Sequence, residues 1–488
     1  MTVFNVQDYG ADPTTSSNDA DDIQAALNAA ANAGGYGHEV YIPAVPNYPS
    51  DYYVLNPGGE NAITLTDRHN GVTLRGDGPE SYLRMAGGRT SNHRGIVYAP
   101  AYADRGTKNL QDITFETFQL DGNYQNNQSA PNGWGITTFE NRSSTPSDDN
   151  IVMQGLKVTG WRTTGITVGR TALAQFCTSH DNEKHGFATI YGRRHTHGKV
   201  NRIHYCHTYG NGYYGVDYHG KGEVRWHVSD GDGYGYKSAN DWDTTNIGAG
   251  HVHELYNSVA RNFRVYGYTI TNPIEELYIG ECLFEDGGGW GCRFTKGMDT
   301  YIRGPIKCRN VGQTRVDEGG FRIYGSEGTS RVVDESGVTS RLWASRCGPS
   351  NDRQPALRIG GGTDPTAGKI DEVYYDSSTV ATSAIVGETN STVDVGQRLT
   401  ASESTQPTID VPSDSEVGYE AFGGGGGGGS GPTNFTPATD VLTATVPSPS
   451  FSLAGEWYDQ SWTRRMKLTV NSGYVSAGPH TDFPLLVN

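Results

Sequence analysis

The chain has 488 residues, more than one ordinary core organises, so the sequence calls for several domains or one elongated repeat. Only 35% of residues are hydrophobic and no run of eighteen apolar residues occurs, which excludes a membrane-spanning helix. Thirty-eight basic against fifty-four acidic residues give a net charge of −16, which argues against a nucleic-acid surface. Met1 leads straight into Thr-Val-Phe-Asn-Val-Gln-Asp, with neither a basic start nor an apolar stretch, so no signal peptide is read in this chain. Ten lysines against twenty-eight arginines on an acidic chain fit a salt-tolerant, halophilic source. Sixty-six glycines without a collagen period, beside twenty-nine tyrosines, point to turns and strands rather than helices.

From the N-terminus, Asn18-Asp19 precedes Ile23, Ala26, Leu27 and Ala30. This i, i+3, i+4, i+7 stripe predicts a helix, which Gly34-Gly35 stops. Val40-Tyr41-Ile42-Pro43 follows as a short strand. The run from Phe4 to Asp12, then Asp-Asp-Ile-Gln-Ala-Ala-Leu27, Gly-Gly and Val-Tyr-Ile-Pro43 resembles the N-terminal cap of the pectate-lyase superfamily of right-handed parallel β-helices. The resemblance implies an all-β solenoid, with residues 1–45 as the cap and 46–420 as the β-helix. Secreted lyases, family-28-type glycosidases and viral tail spikes share this opening, so it speaks for fold and not for reaction.

The middle of the chain can be tested for a solenoid by its own repeat. Gly165, Gly186, Gly215, Gly235, Gly291 and Gly320 each precede a short strand, and the long step between Gly235 and Gly291 divides if Asn262 takes a glycine slot. One residue on, the column reads Ile166, Phe187, Val216, Tyr236, Phe263, Cys292, Phe321; three residues on, it reads Val168, Thr189, Tyr218, Ser238, Val265, Phe294, Ile323. Two largely apolar columns at period 2 are what a strand facing a core requires, and stacking one such strand per coil gives a parallel β-helix. Cys177, Cys206 and Cys282 fall nine residues before their glycines with Trp226 in the same column, which places them as buried free thiols on an inner wall. Past Tyr324 the repeat blurs into irregular coils. Gly423 to Gly429 reads as part of a flexible linker over 421–434, and residues 435–488 form a small β segment whose Ser461–Val470 and Asp482–Val487 stretches resemble a partial concanavalin-like sandwich.

The residue two after each glycine points outward: Thr167, Ala188, Asp217, Lys237, Arg264, Arg293, Arg322. On coils about 4.8 Å apart, Asp217 should touch Lys237, and the cations should form a stripe that needs an anion or flanking carboxylates. Four residues after the glycine, on the same face, stand His219, Tyr266 and Tyr324. Ten of fourteen histidines lie between His180 and His253, with Asp230, Asp232, Asp241, Trp242 and Asp243 in the same span.

The stretch Tyr214-Gly-Val-Asp217, Gly-Glu-Val-Arg225, Asp232-Gly-Tyr-Gly-Tyr-Lys237 and His253 to Asn262 resembles a class of β-helix pectate lyases in which a lysine is the base and an aspartate one coil earlier belongs to a calcium site. The resemblance implies Lys237 as base and Asp217 as that aspartate. Tyr213 and Tyr214 stand where the site's leading aspartates belong, so a Ca2+ site of the family type is incomplete and no other metal or cofactor is expected. β-Elimination needs a base for the proton α to a carboxylate and positive charge for the enolate-like intermediate. Lys237 would supply the first, with Asp217 beside it and Arg264 and Arg293 pairing with the uronate carboxylate; Arg322, His219, Tyr266, Tyr324 and Trp242 would bind neighbouring sugars. The expectation is a tail-spike or tail-fibre type protein, homotrimeric, extracellular or on a virion surface, that binds an acidic polysaccharide or cell-surface glycan, with cleavage left open. A free polysaccharide lyase or glycoside hydrolase and a non-catalytic adhesin are the alternatives; candidate carboxyl pairs for hydrolysis cannot be matched from sequence alone.

Overall fold

In the computed structural model the residues described are 1–98, 112–137, 150–169, 172–190, 200–239, 252–314, 318–326, 328–349, 354–376, 385–388, 391–402, 409–410 and 416–419. The chain divides into two compact units, Met1–Pro437 and Ala438–Asn488. The glycine linker at 421–434 and the sandwich-like segment at 435–488 lie outside the described residues.

Short strands separated by tight corners repeat along the chain, and each pairs in parallel with its equivalent one turn later. One coil runs through Asn201–His204, His207–Tyr209 and Tyr214–His219, after which Gly222–Arg225 begins the next. The described strands form a 13-stranded sheet, containing Tyr214–His219, and a 26-stranded sheet made of two ladders that meet at Thr366–Asp376. The result is a parallel β-helix, as the repeat predicts.

The inward column of the 13-stranded sheet runs Ile166, Phe187, Val216, Tyr236, Tyr268, Cys292, Phe321, Leu357, each paired with the next. All are fully buried. Each large side chain so placed contributes about 1.5–3 kcal/mol of hydrophobic stabilisation, which offsets the entropy of ordering many short strands. At the open N-terminal end the helix Ala20–Asn32 lays Ala20, Ile23, Ala26, Leu27 and Ala30 over the core, as its stripe predicts.

One register is corrected. Tyr236 pairs with Tyr268, so Gly267, and not Asn262, precedes the strand of that coil. Asn262 does stand in for a glycine, but at the preceding corner: its φ of 54° matches Gly210 at 66° and Gly231 at 69°. Phe263, Arg264, Val265 and Tyr266 therefore leave the columns assigned to them, and Tyr268, Thr269, Ile270 and Thr271 take their places. Trp226 also leaves its column. The residue aligned with Cys206 is His227, since His207 pairs with Val228. Trp226 sits outside at a left-handed corner, stacked 4.6 Å from Tyr205. All six cysteines are buried and free, in line with the thiol reading.

The glycines before the strands are set by close approach. A Cβ on Gly235 would lie 2.4 Å from the Ala260 Cβ and 2.5 Å from the Gly267 carbonyl oxygen. Gly235→Ala should thus destabilise the fold by about 1–3 kcal/mol, read as a lowered thermal midpoint; an unchanged midpoint would contradict this packing.

Inside the corner lies a polar ladder in which Asn182 Nδ2 donates to Asn211 Oδ1 at 2.8 Å and Asn211 Nδ2 to Asp232 Oδ1 at 2.9 Å. Burial raises the Asp232 carboxyl from 3.8 to about 6, against hydroxyl and amide donors from Ser229, Thr208 and Asn211 that lower it. Because the folded state holds this proton more tightly, the stability it contributes is full below about pH 4 and lost as pH rises through about 6. Asp232→Asn should remove that slope and raise the thermal midpoint at pH 7 to 8, measured by melting across pH.

Candidate functional site

The strand Tyr214–His219 carries three outward residues: Tyr214 before the corner glycine, then Asp217 and His219. Gly215 and Val216 both face inward, because a Cβ on Gly215 would meet Ser229 and Asp232 of the interior. The chain therefore turns at this glycine, and Tyr214 comes to the same face as Asp217, where the Lys237 ammonium meets both.

Asp217 is the centre of the site. It is 5% exposed, and three basic side chains converge on it. Lys237 Nζ, one coil on, is 3.0 Å from Oδ1; His219 Nε2 is 3.2 Å from the same oxygen; His185 Nε2, one coil back, is 3.7 Å from Oδ2. Burial pushes this carboxyl up, but His219, His185 and Lys237 together hold it well below the usual carboxylate range. His185 is pushed down to about 4, by burial first and by Lys237 and His219, against the pull of Asp217, so its imidazole is neutral near pH 7. The His185 ring lies flat on Tyr214, 5.0 Å away with 7° between planes, and the Lys237 ammonium sits 4.8 Å above the Tyr214 ring. Burial, with Asp217 and neighbouring tyrosines, raises the Tyr214 phenol, which therefore keeps its proton.

Along the coils the outward file reads Asp217, Lys237, Thr269, Arg293, Arg322, Arg358, each beside the next. Arg264 is not in it. Its Nη2 donates to the carbonyls of Asn211 and Gly212, at 3.0 and 2.7 Å, and so fastens a corner. Tyr266 is not level with His219 and Tyr324; it precedes Gly267 as Tyr214 precedes Gly215. It remains near the file, because the Arg293 guanidinium lies 5.1 Å from its ring and 5.4 Å from that of Tyr324. Arg293 Nη2 also donates to the Tyr324 hydroxyl. The Arg322 guanidinium lies 5.2 Å from the Tyr324 ring. Trp242, Asp241 and Asp243 lie outside the described residues.

Sequence reasoning missed His185, Tyr214 and Arg358, and with them Tyr234, whose ring lies 4.9 Å from that of Tyr214. A usable signal existed for all but Arg358. His185-Gly186, Tyr214-Gly215, Tyr234-Gly235 and Tyr266-Gly267 repeat an aromatic residue before the corner glycine, and the same pattern marks Gly267 over Asn262.

The calcium site suggested by the lysine-base lyases does not fit here. Tyr213 and Tyr214 replace carboxylates, and the one that remains, Asp217, already faces an ammonium and two imidazoles. Among the described residues no group of three or more metal-binding side chains has the geometry to hold an ion.

These coils define a parallel β-helix. No known protein-family model matches the chain. It is 28% identical over 195 residues to mannuronan C5-epimerase AlgE1 of Azotobacter vinelandii, a match covering 39% of this chain and 13% of that protein. The solved A-module of mannuronan C-5 epimerase AlgE4 from Azotobacter vinelandii superposes with a TM-score of 0.51 at 16% identity, covering 86% of this chain and 98% of the module. A tailspike protein of E. coli bacteriophage HK620 gives 0.51 at 12% identity, covering 85% and 80%. The fold shared with these structures is the right-handed parallel β-helix.

Removing one member of the buried ion cluster should leave the rest uncompensated. Asp217→Asn and Lys237→Met are each expected to lower stability by about 3–5 kcal/mol, while the double variant loses less than their sum. Thermal or urea melting of the four proteins checks this, and strictly additive losses would contradict the pairing.

Proposed function

We propose that this protein engages a polysaccharide of uronate residues and removes the proton on C5, α to the carboxylate, returning a proton to give the C5 epimer. The single observation that carries the reading is the outward trio Tyr214, Asp217 and His219 on one strand, with Lys237 on Asp217 and His185 on Tyr214. The similarity to mannuronan C5-epimerases over 39% of the chain supports the same chemistry.

C5–H is weakly acidic until its carboxylate can accept the electron pair. A base takes the proton, the C–H electrons delocalise into the carboxylate, and cations stabilise the enolate-like charge. We assign the base to His219, oriented by Asp217, and the returning proton to Tyr214, whose phenol stays protonated. Lys237, assigned as base by the lyase resemblance, serves better as the stabilising cation: its ammonium is ion-paired with Asp217 at 3.0 Å, and its neighbour on the next coil is Thr269 and not Arg264. If the electron pair instead expels the C4 oxygen, the same first step gives β-elimination and an unsaturated sugar.

The test is incubation with mannuronan and other polyuronates in deuterated water. Deuterium at C5 without chain cleavage, seen by NMR, supports epimerisation; ultraviolet-absorbing unsaturated ends indicate elimination. Tyr214→Phe and His219→Asn should each lower turnover by about 100-fold or more with glycan binding retained. Full turnover in both variants, or no exchange on any polyuronate, would sink the proposal.

An extracellular or virion-surface setting, where such polymers occur, is part of the same proposal. A trimer on size analysis in high salt supports a spike, and a monomer supports a free enzyme.

A further inference from the structure

Arg293, Arg322 and Arg358 follow one another in the outward file, but their partners differ. Arg293 lies between two tyrosine rings, and among the described residues no carboxylate pairs with it. Arg322 and Arg358 share one carboxylate, that of Glu388. Arg322 Nη1 and Nη2 donate to Oε1 and Oε2 at 3.0 and 2.7 Å, and Arg358 Nη1 donates to Oε1 at 3.3 Å. This two-pronged arrangement is how a guanidinium receives any carboxylate, a uronate included.

The backbone is cut away to seat Glu388. Gly361 has φ of +77°, and a Cβ there would lie 1.8 Å from Glu388 Oε2. The Glu388 amide is held by the Ile359 carbonyl at 2.6 Å. The three side chains retain 15%, 21% and 27% exposure for Arg322, Arg358 and Glu388, so the cluster reaches the surface and is not part of the core.

We propose that Glu388 is a specificity-determining residue that ends the anion-binding track. It puts the protein's own carboxylate where a substrate carboxylate would sit on Arg322 and Arg358, and leaves Arg293 as the last arginine open to substrate. This deepens the polyuronate reading and rests on it. A linked pyranose advances a glycan by close to the height of one coil, about 4.8 Å. Arg293 stands two coils beyond Lys237 and three beyond the strand of Tyr214, Asp217 and His219, so it takes the carboxylate two sugars away from the one that Lys237 stabilises. Sugars further along meet, among the described residues of the file, only the arginines already paired with Glu388.

The test is binding of uronate oligomers of increasing, defined length to the full chain and to Glu388→Ala, Glu388→Gln and Arg293→Gln, each checked for folding by its melting curve. For the unaltered protein, affinity should rise with length and level off once a carboxylate reaches Arg293. Arg293→Gln should lower that plateau about tenfold, the loss of one charge-assisted pair. Glu388→Ala should bind the longer oligomers about tenfold tighter and the short ones unchanged, and Glu388→Gln, which keeps the volume, should shift the same way by less. An unaltered length profile in both Glu388 variants, with Arg293→Gln still weakened, overturns the cap alone. Failure of every uronate oligomer to bind any of the four proteins overturns the polyuronate reading as well.

Discussion

Everything in this molecule depends on the parallel stacking of coils, in which residue i of one strand lies beside its equivalent one turn later. The stack has little freedom of register, because the interior columns admit only side chains that fill them and the corner glycines admit no Cβ at all. Gly235 shows both limits, wedged against Ala260 and the Gly267 carbonyl. Once the inner columns are fixed, the outer ones are fixed with them. The ion cluster is thus assembled by the core: Val216 and Tyr236 pair inside, and Asp217 meets Lys237 outside.

The same constraint explains how far the sequence could be read. The cap helix, the inner columns before Tyr236 and the contact of Asp217 with Lys237 follow from periodicity and glycine spacing, and all stand in the structure. The failure at Asn262 has a local cause. Asparagine tolerates left-handed backbone as glycine does, so by sequence pattern Asn262 fits the slot of Gly235 as well as that of Gly231, and the wrong choice displaces Arg264 and Tyr266 with it. Trp226 failed similarly, since an aromatic residue at a left-handed corner projects outward whatever its hydrophobicity. Glu388 was beyond reach: it is 66 residues from Arg322 in sequence, and only the path of the later coils joins them.

A net charge of −16 and an outward file of cations are compatible because the positive side chains are concentrated where carboxylates can be brought to them. Asp217 neutralises one end of the file from within the chain and Glu388 the other. Between them neither Thr269 nor Arg293 is ion-paired with a carboxylate among the described residues, and the nearby Glu318 is engaged by the Tyr266 hydroxyl. An acidic polymer repelled by the bulk of the surface would meet attraction there, so the charge pattern selects a place on the solenoid as well as a kind of ligand.

On the proposed reading, a solenoid also separates the strand assigned to the reaction from the coils assigned to grip the polymer. Because the strand ladders pair each coil only with its two neighbours, a whole turn inserted or removed between Lys237 and the Arg322–Glu388 cluster would leave the strand that holds Tyr214, Asp217 and His219 with its own partners. The distance from Lys237 to that cluster is therefore a ruler graduated in single coils. On the same reading, one added coil would lengthen the gripped stretch of polymer by about one sugar and leave the reacting strand as it is.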